Sequence, residues 1–133
     1  MTSYMLDTDI ASYLMRETMP ELKAKFAEHF SRISISSITA AELQFGANKR
    51  NSRQLTAKVN AFCELVPVKD WTLETAIRYG KLRAELEAAG TPLASMDMLI
   101  AAAALAEGAT LVTNNTAHFS KVPGLKLANW LES

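Results

Sequence analysis

The sequence predicts an α/β fold, with a parallel sheet of four or five short strands covered by helices on both faces. Three observations carry this reading. Short apolar or β-branched runs alternate with longer stretches of helical period, and strands separated by helices pair in parallel. The first run, Tyr4-Met5-Leu6, ends abruptly in Asp7-Thr8-Asp9, as a buried parallel strand does where it emerges at the sheet edge. The stretch from Ser95 to Glu107 is apolar nearly all round, the pattern of a central, buried helix.

In chain order, Ile10, Ala11, Tyr13 and Leu14 mark a first helix from near Ile10 to about Met15. Pro20 opens a second, with Leu22, Phe26 and Phe30 at helical spacing. Ile33-Ser34-Ile35 is the second strand. Ser36, Ser37 and Thr39 start the next helix, with Glu42 in its first turn. The pattern breaks from Gly46 to Ser52, and Leu55, Val59, Phe62 and Cys63 restore helical period up to Leu65. Val66-Pro67-Val68 reads as an edge strand, because proline cannot donate to a ladder. Thr72 to Ala89 is the longest helix, with Leu73, Ala76, Ile77, Gly80 and Ala84 expected to face inward. Gly90 ends it and Pro92 prevents its resumption. After the apolar helix and Gly108 come a fourth strand, Thr110-Leu111-Val112-Thr113, a short turn through His118-Phe119, and a last strand at Leu125-Lys126-Leu127.

A chain of 133 residues is expected to form one domain, residues 1–133, with a core of its own. Fourteen basic and fourteen acidic side chains cancel, so no overall field draws the protein to nucleic acid or membrane. A nucleic-acid partner would need a local basic patch or metal ions. The single cysteine, Cys63, excludes an internal disulfide and fits a cytoplasmic setting. No signal peptide precedes Tyr4, and the longest apolar run, Met98 to Ala106, is too short to span a bilayer.

Three acids lie where charge is costly. Asp7 follows a core strand, Glu42 sits between Ala40-Ala41 and Leu43, and Asp97 falls within Met96-Asp97-Met98-Leu99-Ile100. Each has a local explanation as well. Asp7 can cap the helix that follows it. Thr39-Ala40-Ala41-Glu42 matches a capping box, and Asp97 lies near a helix N-terminus that favours an anion. Together they suggest more, since all three fall near a strand end or a helix start. Two carboxylates about 4 Å apart repel by roughly 4 kcal/mol at an effective dielectric near 20. A divalent cation removes that cost, and oxygen ligands without a Cys or His cluster point to Mg²⁺ or Mn²⁺.

These segments resemble the PIN domain, and more narrowly the VapC toxins of VapBC toxin–antitoxin pairs. The resemblance rests on Asp7-Thr8-Asp9, Thr39-Ala40-Ala41-Glu42-Leu43 followed by Gly46, Asp97 with its apolar helix, and Thr113-Asn114-Asn115. Arg83, Gly90, Pro92 and Val122-Pro123-Gly124-Leu125 add to it, in order along the whole chain. It implies a three-layer α/β/α domain and an Mg²⁺- or Mn²⁺-dependent endoribonuclease that cuts structured RNA, often tRNA, to stop translation. A VapB-type antitoxin comes with the same resemblance, and a homodimer is expected. Asp7, Glu42 and Asp97 fall at the metal-binding acids, and Thr8, Asp9, Thr39 and Thr113 support them. Asn115 completes the site where a fourth acid is common. Asp9 stands where Asn is frequent, and Ala94 where Gly is usual. Hydrolysis would proceed by in-line attack of an activated water, leaving a 5′-phosphate and a 3′-hydroxyl.

Basic residues are needed for substrate phosphates. Lys49, Arg50 and Arg53 read as a solvated helical face, whereas Lys81 and Arg83, one helix before Asp97, are candidate RNA contacts. His29 and His118 are expected at the surface, and Trp71 and Trp130 as packing anchors. Phe45 and Phe62 mark helix faces that could form a homodimer seam, and core packing explains them equally well. Two other functions compete. A phosphatase of the haloacid dehalogenase type would use Asp7 as nucleophile and Asp9 as acid, but the expected residues downstream are missing. A phosphoreceiver module could use Asp70, leaving Glu42 and Asp97 unexplained.

Overall fold

The computed structural model describes residues 1–131. Asp7 ends β1 (Tyr4–Leu6) and caps α1 (Thr8–Arg16), its side chain accepting the Ile10 N–H at 2.9 Å. The helix therefore starts earlier than its apolar spacing suggests, because the cap sets the first turn. Pro20 opens α2 (Pro20–His29), where its missing N–H costs nothing. A single 3₁₀ turn, Phe30–Arg32, leads into β2 (Ile33–Ser36).

Ser36 caps α3 (Ser37–Lys49) by accepting the Thr39 N–H at 3.1 Å. That bond places Glu42 in the second turn and rules out the capping box. The break expected at Gly46 is also absent, since α3 continues to Lys49. Only a tight turn separates it from α4 (Arg53–Leu65), which Ser52 caps. Then follow β3 (Val68–Lys69), α5 (Leu73–Ala88), α6 (Ser95–Glu107), β4 (Thr110–Val112), α7 (Thr116–Phe119) and β5 (Leu127–Ala128). Gly108 stops α6 in the left-handed region at φ 63°, where a side chain would be strained. The turn expected at His118 is the short helix α7.

All strand pairs are parallel, in the order β3-β2-β1-β4-β5. The Pro67 run does supply an edge strand. Successive side chains on a strand face opposite sides, and the two cores follow from that. Leu6 and Val112 enter the core made with Ile10, Leu43, Val59 and Phe62, on the side of α1 to α4. Met5 and Leu111 enter the other, with Leu82, Leu86, Met98 and Ala104 of α5 and α6. The result is three layers, helices over sheet over helices. Trp130 closes the first core, and the Trp71 indole donates to the Leu99 carbonyl at 3.1 Å. Both tryptophans are packing anchors.

The face of α5 is reversed from the expectation. Thr75, Leu82 and Leu86 are buried, while Leu73 and Ile77 are 78% and 68% exposed. Two residues around a helix is about 200°, so the two stripes lie on opposite sides. α5 packs on α6, whose buried face is largely alanine from Ala101 to Ala104. Such a face has room for the longer leucines. Leu82→Ala is therefore expected to cost about 2–4 kcal/mol in urea unfolding, and Ile77→Ala less than about 1 kcal/mol. Equal losses would show that the helix is turned the other way.

Candidate active site

The chain lays β2 and β3 on one side of β1, then crosses to place β4 and β5 on the other. Between β1 and β4 the order reverses, and in open parallel sheets the crevice beyond such a reversal is the ligand site. Asp7 follows β1 there, and Thr113 follows β4. The Asp7 N–H donates to the Val112 carbonyl at 3.0 Å, which ties the two strand ends together. Helices run back along a parallel sheet, so α6 also begins at this edge and carries Asp97 in its first turn. The Ala94 cap makes no side-chain bond, and the acid beside the open amides suits the helix dipole.

Asp7 is 7% exposed, and burial pushes its carboxyl up from 3.8 to about 6. Hydrogen bonds from Thr113 and the Ile10 amide oppose that rise, while the charges of Asp9 and Asp97 add to it. The structure thus brings Asp7, Asp9 and Asp97 into electrostatic range of one another.

Glu42 is held differently. The Thr8 hydroxyl donates to Glu42 Oε1 at 2.6 Å, and Thr8 Oγ1 lies 3.3 Å from Thr39 Oγ1. A hydroxyl has one proton, and the shorter contact takes it. Asp97 is held by a residue expected only at the surface: His118 Nε2 lies 3.0 Å from Asp97 Oδ2. A carboxylate has no proton to give, so Nε2 carries it. His118 is half-buried, in contrast to the surface role expected, and the pairing joins α7 to α6 across 21 positions of sequence. Spacing alone could not reveal it. Among the described residues, no three His, Cys, Asp or Glu side chains gather closely enough to hold a metal ion together.

Thr113 is fully buried and accepts the Asn115 N–H at 3.0 Å, shaping the turn into α7. Asn115 itself is exposed at the start of that helix. Lys81 and Arg83 are exposed on α5, and Arg83 donates to the Tyr79 hydroxyl at 3.0 Å and to Glu87 at 3.5 Å. Asp70 is exposed beyond the edge strand β3, away from the β1–β4 crevice. His29 stacks on Trp130 and lies against Tyr4, at the opposite end of β1 from Asp7.

The model of the PIN domain matches residues 4–125. The chain belongs to the PIN-domain family. Ribonuclease VapC2 of Rickettsia felis is 40% identical over 131 residues, covering 96% of this chain and 97% of that protein. The tRNA(fMet)-specific endonuclease VapC of Salmonella typhimurium is 35% identical, covering 98% and 99%. Among solved structures, DNA-bound VapBC from S. typhimurium matches with a TM-score of 0.91 at 35% identity, covering 98% of this chain and 99% of that one. VapBC2 from R. felis, bound to a DNA fragment from its promoter, matches at 0.89 and 37%, covering 97% and 99%. Among the described residues of this PIN domain, no helix is long and apolar enough to cross a membrane.

The raised Asp7 value makes a prediction about stability. The folded chain holds this proton more tightly than the unfolded chain. The stability it contributes is therefore full below the ordinary 3.8 and is lost as pH rises through about 6. By pH 7 the loss is roughly 3 kcal/mol. Asparagine caps a helix as well as aspartate does, so Asp7→Asn keeps the bond to Ile10 and removes the charge. In metal-free buffer the variant should unfold at higher urea than the parent at pH 7, with a flatter profile between pH 4 and 6. A variant less stable than the parent at pH 7 would contradict the burial cost.

Proposed function

We propose that this PIN domain is a divalent-metal-dependent endoribonuclease of the VapC type, the toxin of a toxin–antitoxin pair, acting on structured RNA such as tRNA. The observation that carries the reading is the buried Asp7 carboxyl, pushed up to about 6 beside Asp9 and Asp97 at the sheet's crevice. Similarity along nearly the whole chain to proteins named ribonuclease and tRNA(fMet)-specific endonuclease supports the choice of substrate.

The donor chemistry fits a hard divalent cation, with the acids of the described residues standing too far apart to enclose one as a threesome. Every candidate ligand is oxygen, which suits Mg²⁺ or Mn²⁺ rather than zinc, and among the described residues Asp7 enters no ion pair. Asp7 and Asp97 would hold the ion, and Glu42, whose Oε1 accepts from Thr8, is the further oxygen donor the family resemblance implies. When bound, the ion supplies Lewis-acid stabilisation of charge on the phosphoryl oxygens. The protein's own groups set the rest. Thr113 and the Ile10 amide fix Asp7, Thr8 and Thr39 steer Glu42, and His118 fixes one oxygen of Asp97 and leaves the other uncommitted. Asn115 offers a neutral carbonyl oxygen at the mouth of the site.

Partners follow from the same reading. An apolar groove of about 250 Å³ between α1, α2 and α4, lined by Leu14, Met15, Phe26, Phe62 and Leu65, supports an amphipathic antitoxin segment. The similar solved structures are of VapBC bound to DNA, which supports an antitoxin as the partner. Exposed Leu73 and Ile77 on α5, and exposed Phe45 on α3, support a homodimer. Phe62 does not, because it is buried in the core. An RNA substrate and the free thiol of Cys63, raised by burial, fit a cytoplasmic setting.

Purified protein with Mg²⁺ or Mn²⁺ should cleave tRNA, leaving ends that ligate as 5′-phosphates, and EDTA should stop the reaction. Changes to groups that merely orient a metal ligand cost about 10- to 100-fold. Asp7→Asn and Asp97→Asn should therefore each lose at least about 100-fold, with unchanged circular dichroism. Metal-dependent cleavage retained in both would overturn the assignment.

A further inference from the structure

Two helical stripes run from the acidic crevice to a pair of arginines. On α1, Thr8, Ser12 and Arg16 recur at intervals of four, and on α3 with its cap, Glu42, Gly46 and Arg50 do the same. Residues four apart share a helix face, so each stripe is a lane along its helix. The lanes meet: all six residues line one cleft of about 150 Å³.

Thr8 and Glu42, joined at 2.6 Å, close its acidic end. The middle is small and open, because nothing lies within 4 Å of where a Gly46 side chain would begin. At the far end Arg16 and Arg50 are exposed, and among the described residues neither enters an ion pair. The cleft also carries Asp9 and Glu42 at its near end, so the two unpaired guanidiniums make a positive field only at the far end. Eight residues of helix separate Glu42 from Arg50, about 12 Å along the axis, the reach of a few nucleotides of extended strand.

We propose that this cleft is the lane that holds single-stranded RNA next to the cutting site, with Arg16 and Arg50 each gripping a phosphate a short distance along the strand from the bond that is cut. The proposal rests on the nuclease reading and extends it to how substrate is held. Guanidinium groups match phosphate oxygens in geometry as well as charge. A docked peptide helix would need large exposed apolar anchors; here Met15 and Leu43 of the lining are buried, and the open apolar groove lies instead between α1, α2 and α4.

Binding is read by anisotropy of a fluorescein-labelled RNA roughly 12 nucleotides long, within the usual range of single-strand grooves, in EDTA so that no cleavage intervenes. Each lost phosphate contact lowers the salt slope by about 0.7 and, near 0.1 M salt, the affinity by about fivefold. Arg16→Gln and Arg50→Gln should each show that change, and the double variant about 25-fold. Arg78→Gln, an exposed change on α5 outside the cleft, should match the parent. Gly46→Leu should raise the melting temperature, since leucine is the better helix former and the space is open, yet weaken RNA binding by filling the lane. A purely structural glycine would not give opposite signs. Unchanged affinity and slope in the arginine variants would overturn the lane. So would loss of a labelled oligoglutamate peptide, but not of RNA, in those variants. Arginine-dependent binding without any Mg²⁺- or Mn²⁺-dependent cut would overturn the nuclease reading, whereas a cut with arginine-independent binding would overturn the lane alone.

Discussion

A carboxyl group buried where the first strand ends constrains everything around it. Asp7 gives its N–H to β4 through Val112, its carbonyl to Ala11 in α1, and its side chain to Ile10. One residue therefore joins strand to strand and strand to helix, and it cannot move without loosening all three. Such bonds offset only part of the cost of burying the charge, and the remainder appears as a proton held up to about 6. The fold keeps its least comfortable group at the one place where a cation would relieve it.

The rest of the architecture serves to deliver partners to that point. Parallel strands put their C-terminal ends on one edge, and the reversal between β1 and β4 opens a crevice there rather than a continuous wall. α6 can press against the sheet because four of its six buried residues are alanine. That close approach carries the first turn, with Asp97, to the crevice mouth. His118 then locks Asp97 from α7, and Thr8 locks Glu42 from α1. Each acid is steered by a residue from a different element, so the site's shape is a property of the tertiary fold and not of any local motif.

That distinction explains what the sequence could reveal. Strand runs, caps and the all-round apolar helix are local, and they gave the layers, the edge strand and five of the strand positions to within two residues. The α5 face was misread because two stripes compete there. Leu73, Ala76 and Ile77 form the denser apolar start, but further along that stripe continues only through Gly80 and Ala84. The buried stripe gains its leucines late, at Leu82 and Leu86, where contact with α6 decides the matter. Thr39 to Glu42 matched a capping pattern, yet Ser36 took the cap first and released Glu42 for Thr8. The His118 pairing had no signal in periodicity at all, since it depends on where a four-residue helix comes to rest.

Zero net charge conceals a segregated distribution. Acids concentrate at the crevice, while Arg16 and Arg50 stand one helix length away across a cleft with a glycine at its centre. On α5, by contrast, Arg83 spends its donors on Tyr79 and Glu87 of its own helix. A protein arranged this way has no long-range field with which to collect nucleic acid. On the proposed reading its grip on a strand comes from a few short contacts, each worth little in physiological salt. Non-specific RNA is then held weakly and released readily. An RNA whose own fold presents a strand already shaped to the cleft avoids the ordering cost that a flexible strand incurs. Discrimination in such a nuclease rests on the shape of the RNA before it rests on charge.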